Sequence, residues 1–209
     1  MLSTLRVVTP PAQALGPLPV VRRHLRVDNS LDDDLIQFYL DSATAWVQDV
    51  LGRALLTQTL EWTMADAPPL SGGAVVPGFL PILPMAFSWG MLWQRQLEFP
   101  RSPVQSVSSI AVTDLNGVVR TLESADFVPS LGAGTGRLRL NSPATPGSSV
   151  AVRFVAGYGD DAQSVPAPIR NAALLLMTDL YENRGDAGGE MPPAVMRLLW
   201  PYRVTFFGG

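Results

Sequence analysis

The hydrophobic period of this chain changes twice, and those two changes limit what it can fold into. Leu35, Ile36, Tyr39, Leu40, Ala43, Val47, Val50 and Leu51 recur at helical spacing, and Gly52 is placed to stop the helix. In "LLTQTLEWTM" the period drops to two. Leu56, Leu60, Trp62 and Met64 alternate with Thr57, Thr59, Glu61 and Thr63, the pattern of a half-buried strand. Helical spacing returns at Pro166 and runs through "IRNAALLLMTDLYENR" to Gly185. The expected fold is α+β: a helical bundle built from N- and C-terminal helices, carrying an inserted antiparallel β-rich region.

Local signals fill in this frame. Residues 1–16 read as an irregular arm, because Pro10, Pro11 and Gly16 interrupt any periodicity. A short helix follows from Pro17, with Val21 and Leu25 on one face. In "RVDNSLDDD", Asp28, Asn29 or Ser30 can cap free amides, while Asp32, Asp33 and Asp34 suit the positive end of the next helix. Further strands are expected at 107–113, 118–122, 137–140 and 149–156, the first two joined at Asn116-Gly117. Ser164 can cap the C-terminal helix, and "PPAVMRLLW" forms a last short one, ended by Pro201. The boundaries are therefore an arm at 1–16, a bundle from 17–55 and 164–200, a β-rich region at 56–160 and a tail at 201–209. That last helix pattern of 166–184 is apolar nearly all round, which calls for burial on several sides.

Composition removes whole classes of chemistry. The 209 residues are 47% hydrophobic and 16% charged, which supports a sizeable core and argues against general disorder. Without cysteine there are no disulfides, thiolate metal sites or thiol nucleophiles, and one histidine, His24, rules out multi-histidine metal sites. No signal-peptide pattern is present, and proline breaks the apolar runs well short of the ~20 residues of a membrane span. A soluble protein assembled in the cytoplasm is expected. A formal charge of −3 opposes tight binding to nucleic-acid phosphates.

The remaining chemical candidates each have a plainer reading. Asp32–Asp34 lack the spaced oxygens, central glycine and distal glutamate of a calcium loop, so they read as a solvated helix start. "GAGTG" at 132–136 lacks the ending of a phosphate loop and opens a strand, so it reads as a turn. His24 beside Arg22 and Arg23 reads as a cationic helix end. No catalytic residue, cofactor or metal ligand is expected, and the chain does not read as an enzyme.

Two segments look made for partners. Residues 66–97 are a long loop of prolines and glycines that displays Phe79, Ile82, Met85, Phe87, Trp89 and Trp93. It either binds a partner or folds back as a lid over the β-region. The tail offers Tyr202, Arg203, Val204, Phe206 and Phe207, which either add a strand to this chain or reach into a neighbour. Gly157 and Gly159 form a hinge where strand must become helix in little space, which predicts a positive φ in at least one of them.

Several phrases in series resemble one family: "HLRVD", "LGRALLTQT", "RSPVQSVSSI", "VRFVAGYGDDAQSVPAPIRNAALLL", "YENR" and "PPAVMRLLWPYR". Their order and wording are similar to the head–tail connector, or adaptor, proteins of long-tailed bacteriophages and gene transfer agents. The resemblance spans about residues 20–62 and 97–206. It implies a non-enzymatic subunit, about twelve copies of which form a ring beneath the portal protein. Such a ring sits in the virion neck, extends the channel that double-stranded DNA passes through without sequence recognition, and meets a stopper or tail component. It also implies that Tyr202 through Phe207 dock on the portal. The alternatives are a stopper or tail-terminator protein, which the two long helices oppose, and a carboxylate-based hydrolase, which would need a cleft with converging acids.

Overall fold

The computed structural model describes residues 2–65, 96–132, 134–141, 148–183 and 191–204. The chain divides into two compact units, one of Met1–Thr9 with Thr59–Val155 and one of Pro10–Gln58 with Ala156–Gly209. Its helices and antiparallel sheets make a mixed α+β fold. No described helix is long and apolar enough to cross a membrane.

The first unit is β-rich. Its strands are β1 (Leu2–Thr9), β2 (Gln58–Ala65), β3 (Gln96–Glu98), β4 (Val104–Thr113), β5 (Val119–Thr121), β6 (Phe127–Ser130), β7 (Arg137–Leu140) and β8 (Ser149–Ala156). They form a five-stranded sheet, ordered β1-β2-β8-β4-β5, and a three-stranded sheet, ordered β3-β7-β6. Alternation in β2 sends Leu60, Trp62 and Met64 inward, and β8 does the same with Val150, Val152 and Phe154. Phe99, just after β3, fills the space between them. Its ring lies 4.8 Å from that of Phe154 and 6.4 Å from that of Trp62, both tilted.

The expected arm at 1–16 is corrected here: Leu2–Thr9 is a strand that pairs antiparallel with β2, from Leu2 opposite Ala65 to Val7 opposite Leu60. Being an edge strand it buries little, so its sequence does not need to alternate and gives no period to detect. The β-rich unit is thus not one insertion at 56–160. It combines the N-terminal strand with 59–155. Two short strands also went unforeseen. β3 is three residues long, and β6 carries Pro129, which an edge position tolerates.

The second unit is helical: α1 (Leu18–Leu25), α2 (Asp33–Leu51), α3 (Ala167–Asn183) and α4 (Pro193–Leu199). Ile36, Leu40, Ala43, Val47 and Leu51 of α2 interlock with Ile169, Ala172, Ala173, Leu176 and Met177 of α3. Val21 of α1 and Val195 and Leu199 of α4 complete this core. Of the predicted α2 stripe, Tyr39 and Val50 are only partly buried and Leu35 is exposed, because it faces away from α3. α3 is covered on several sides as its composition required.

The caps differ from expectation. Asn29 Oδ1 accepts from the Leu31 N–H in a local turn, and the residue preceding α2 is Asp32, whose side chain makes no capping bond. Ser164 does not cap α3. Asp161 Oδ1 instead accepts from the N–H groups of Gln163 and Ser164 and holds a 3-10 turn ahead of the helix.

Candidate docking surfaces

The hinge is built by close approach of two backbones. Gly157 has φ 143°, and a Cβ there would lie 2.5 Å from the carbonyl carbon and oxygen of Leu56 and from the nitrogen of Thr57. Only glycine fits. Beside it the Tyr158 N–H donates to the Leu55 carbonyl at 3.0 Å, and the Thr57 N–H donates to the Gly159 carbonyl at 2.9 Å. Gly159 is needed for room, since a Cβ there would meet the Ser164 side chain. Burial pushes the Tyr158 phenol upward from its ordinary value, opposed by the Arg53 guanidinium 5.9 Å from the ring centre. The predicted hinge is thus a clamp that ties the start of the C-terminal half to the loop after α2.

The same loop holds the C-terminal segment. Arg53 Nε donates to the Tyr202 carbonyl at 2.6 Å, and the Val204 N–H donates to the Leu51 carbonyl at 2.9 Å. Tyr202 packs against the helical core. Among the described residues of the predicted tail, Arg203 is exposed and Tyr202 and Val204 are partly buried. The Arg203 guanidinium sits 5.5 Å from the ring centre of Trp200, a side chain that is 67% exposed. Trp200 was not among the residues anticipated for docking. Its signal was available: a tryptophan at the end of a short helix whose buried positions are Val195 and Leu199. Phe206 and Phe207 lie outside the described residues, as do Phe79, Ile82, Met85, Phe87, Trp89 and Trp93.

The titratable candidates are engaged structurally. Asp32 Oδ2 accepts from the Tyr181 hydroxyl at 2.9 Å, joining the start of α2 to α3. Asp33 forms an ion pair with Arg22 of α1 at 2.9 Å, so the acidic run does more than complement a helix dipole. His24 is exposed near the end of α1. Among the described residues, no three or more acids and histidines gather as a metal site would require. Residues 132–136, of which Ala133 is not described, lead into β7 with Gly132 bridged to Val104. A groove of about 520 Å³ lies between Pro10–Leu15 and the Gln37–Gln48 side of α2. It contains one carboxylate, Asp41, which accepts from Gln37 at 2.8 Å, so no acid–base pair converges there.

Against this geometry, the sequence of residues 18–119 matches the family model of phage gp6-like head-tail connector proteins. That stretch is just under half of the chain, and over it the sequence is similar to the head–tail connector family. No curated protein matches the chain significantly. Solved structures do. A chain from the neck of an empty gene transfer agent particle, computed with C6 symmetry, shares 24% identity at TM-score 0.72, covering 99% of this chain and 98% of that chain. A chain from the neck of a native particle, computed with C12 symmetry, shares 23% identity at TM-score 0.70, with the same coverage. A third, from the virion of the native particle, shares 22% identity at TM-score 0.71, covering 98% of this chain and 97% of that chain. The likeness therefore takes in both units of the fold.

Proposed function

We propose that this chain is a connector that forms a closed ring at the head–tail junction of a phage-like particle, seated on the portal and continuing its channel towards the tail. The observation that carries the reading is likeness over nearly the whole chain to proteins resolved in particle necks of C6 and C12 symmetry. The helical unit supports an adaptor over a stopper or terminator, since a more purely β protein would lack the α2–α3 pair. A net charge of −3 suits a conduit, because a strongly basic lining would retain the DNA. The subunit acts by assembly in the host cytoplasm, without catalysis, and the C-terminal segment docks on the portal. Trp200, Arg203 and the residues after Val204 present the docking groups there, with Tyr202 as their anchor.

Electron microscopy of the connector mixed with its cognate portal ring tests this reading. Added density should close into a ring that follows the portal's symmetry. A chain ending after Val204 should keep its fold and lose that density. No added density with the full chain overturns direct portal docking.

A further inference from the structure

The outer side of α2 and the turn before it carry an apolar stripe that none of the described residues covers. Leu31, in the turn just before the helix, is 89% exposed, and Leu35 and Phe38, one turn apart on the helix, are 36% and 64% exposed. Asp34 and Asp41 stand one turn to either side of Phe38, both exposed. An acid-flanked aromatic stripe calls for a partner that is apolar at its centre and cationic around it.

Such a partner surface exists on α1 of the same unit. Val20 is 48% exposed there, with Arg23 one turn on and Arg26 just past the helix end, both exposed. Neither arginine nor Asp34 makes a side-chain hydrogen bond or ion pair among the described residues. The two surfaces do not form one patch. Arg22 of α1 pairs with Asp33 of α2, and Asp33 lies about 140° round the helix from Phe38. Every one of the 15 basic side chains in this protein is arginine, the cation best suited to bind carboxylates at an interface.

We infer that the stripe at Leu31, Leu35 and Phe38 is occupied by the Val20–Arg23–Arg26 surface of a second copy. Two different, complementary surfaces on each subunit make a head-to-tail contact, which repeats and closes into a ring when the rotation allows. The inference rests on the ring reading and names the faces that meet in it.

The absence of cysteine makes the test direct. Full-length Phe38→Cys and Val20→Cys chains are oxidised together and separately at high concentration and on the portal ring. Both positions are exposed, so neither change disturbs the core. The expected result is a disulfide-linked pair in the mixture and none from either variant alone. A double reversal, Asp34→Arg with Asp41→Arg, should lower the yield about tenfold or more, and Arg23→Asp with Arg26→Asp in the partner should restore it. Linkage of Phe38→Cys to itself, or no linkage in any mixture, overturns the inference. Unmodified connector on the portal separates the two ideas: a ring without linkage sinks only this contact, and no ring sinks the connector ring itself.

Discussion

Arg53 donates from Nε to the Tyr202 carbonyl across 149 positions of sequence, so one guanidinium joins the end of α2 to the root of the C-terminal segment. A hydrogen bond from a charged donor to a half-buried carbonyl contributes about 1.5–3 kcal/mol. The Arg53→Ala variant should therefore melt roughly 3–12 °C lower, which differential scanning calorimetry will read. An unchanged melting temperature would show that Tyr202 packing and the Val204–Leu51 hydrogen bond suffice to hold the segment.

At the clamp, the obstacle to a side chain differs between the two glycines. Gly157→Val meets main-chain atoms in a left-handed backbone and should cost about 3 kcal/mol or more. Shortening a neighbouring side chain cannot relieve it. Gly159→Ala meets only Ser164, so the added change Ser164→Gly should recover most of its loss. Chemical denaturation of the single and double variants checks both statements.

Glu61 links two arginines on the β-rich unit, Arg153 at 2.7 Å and Arg6 at 2.9 Å. The Arg153 hydrogen bond, aided by the charges of both arginines and opposed by burial, holds its carboxyl below the ordinary value of 4.5. A lowered native value means that the stabilisation is fully present above pH 4.5 and is lost as pH falls through that native value. Replacing Glu61 with Gln should cost no more than about 1 kcal/mol at neutral pH, and the difference should shrink in acid and in high salt. A constant difference from pH 7 to pH 2 would contradict this assignment.

Phe99 is the keystone of the β-rich core, with Trp62 on one side and Phe154 on the other. Its truncation to alanine should cost about 3–5 kcal/mol. Phe99→Leu should cost clearly less, because it leaves a smaller void. Urea titrations of the two variants should separate them by midpoint.

What could be read in the sequence follows from which residues face inward. The α2 and α3 stripes, the β2 alternation and the glycine clamp all answer to burial or to steric exclusion, and each leaves a spacing that a reader can find. β1 escaped because Val7 is half exposed and Val8 sits at a register shift, so its strand character lies in backbone pairing with a partner some fifty residues away. The tail's aromatic content was legible, but which of its residues pack inward was not. Tyr202 and Trp200 are both aromatic and two residues apart, and only packing against the core tells which one is held. The exposure of Phe38 was hidden for the same reason. A polar-flanked aromatic on a helix has no sequence mark that separates it from a core residue one turn away.

The place of β8 in the sheet has a consequence for synthesis. It lies between β2 and β4, so the middle strand is the last of the five to leave the ribosome. Until residue 156 emerges, β1 and β2 can form no more than a hairpin-like pair, and the sheet stays open along its centre. The β unit is thus unfinished until residue 156 has been made, and α3, which completes the helical core, follows at once. A chain cut short before β8 therefore has neither a closed five-stranded sheet nor a packed helical core, so a fragment of synthesis cannot imitate the finished subunit.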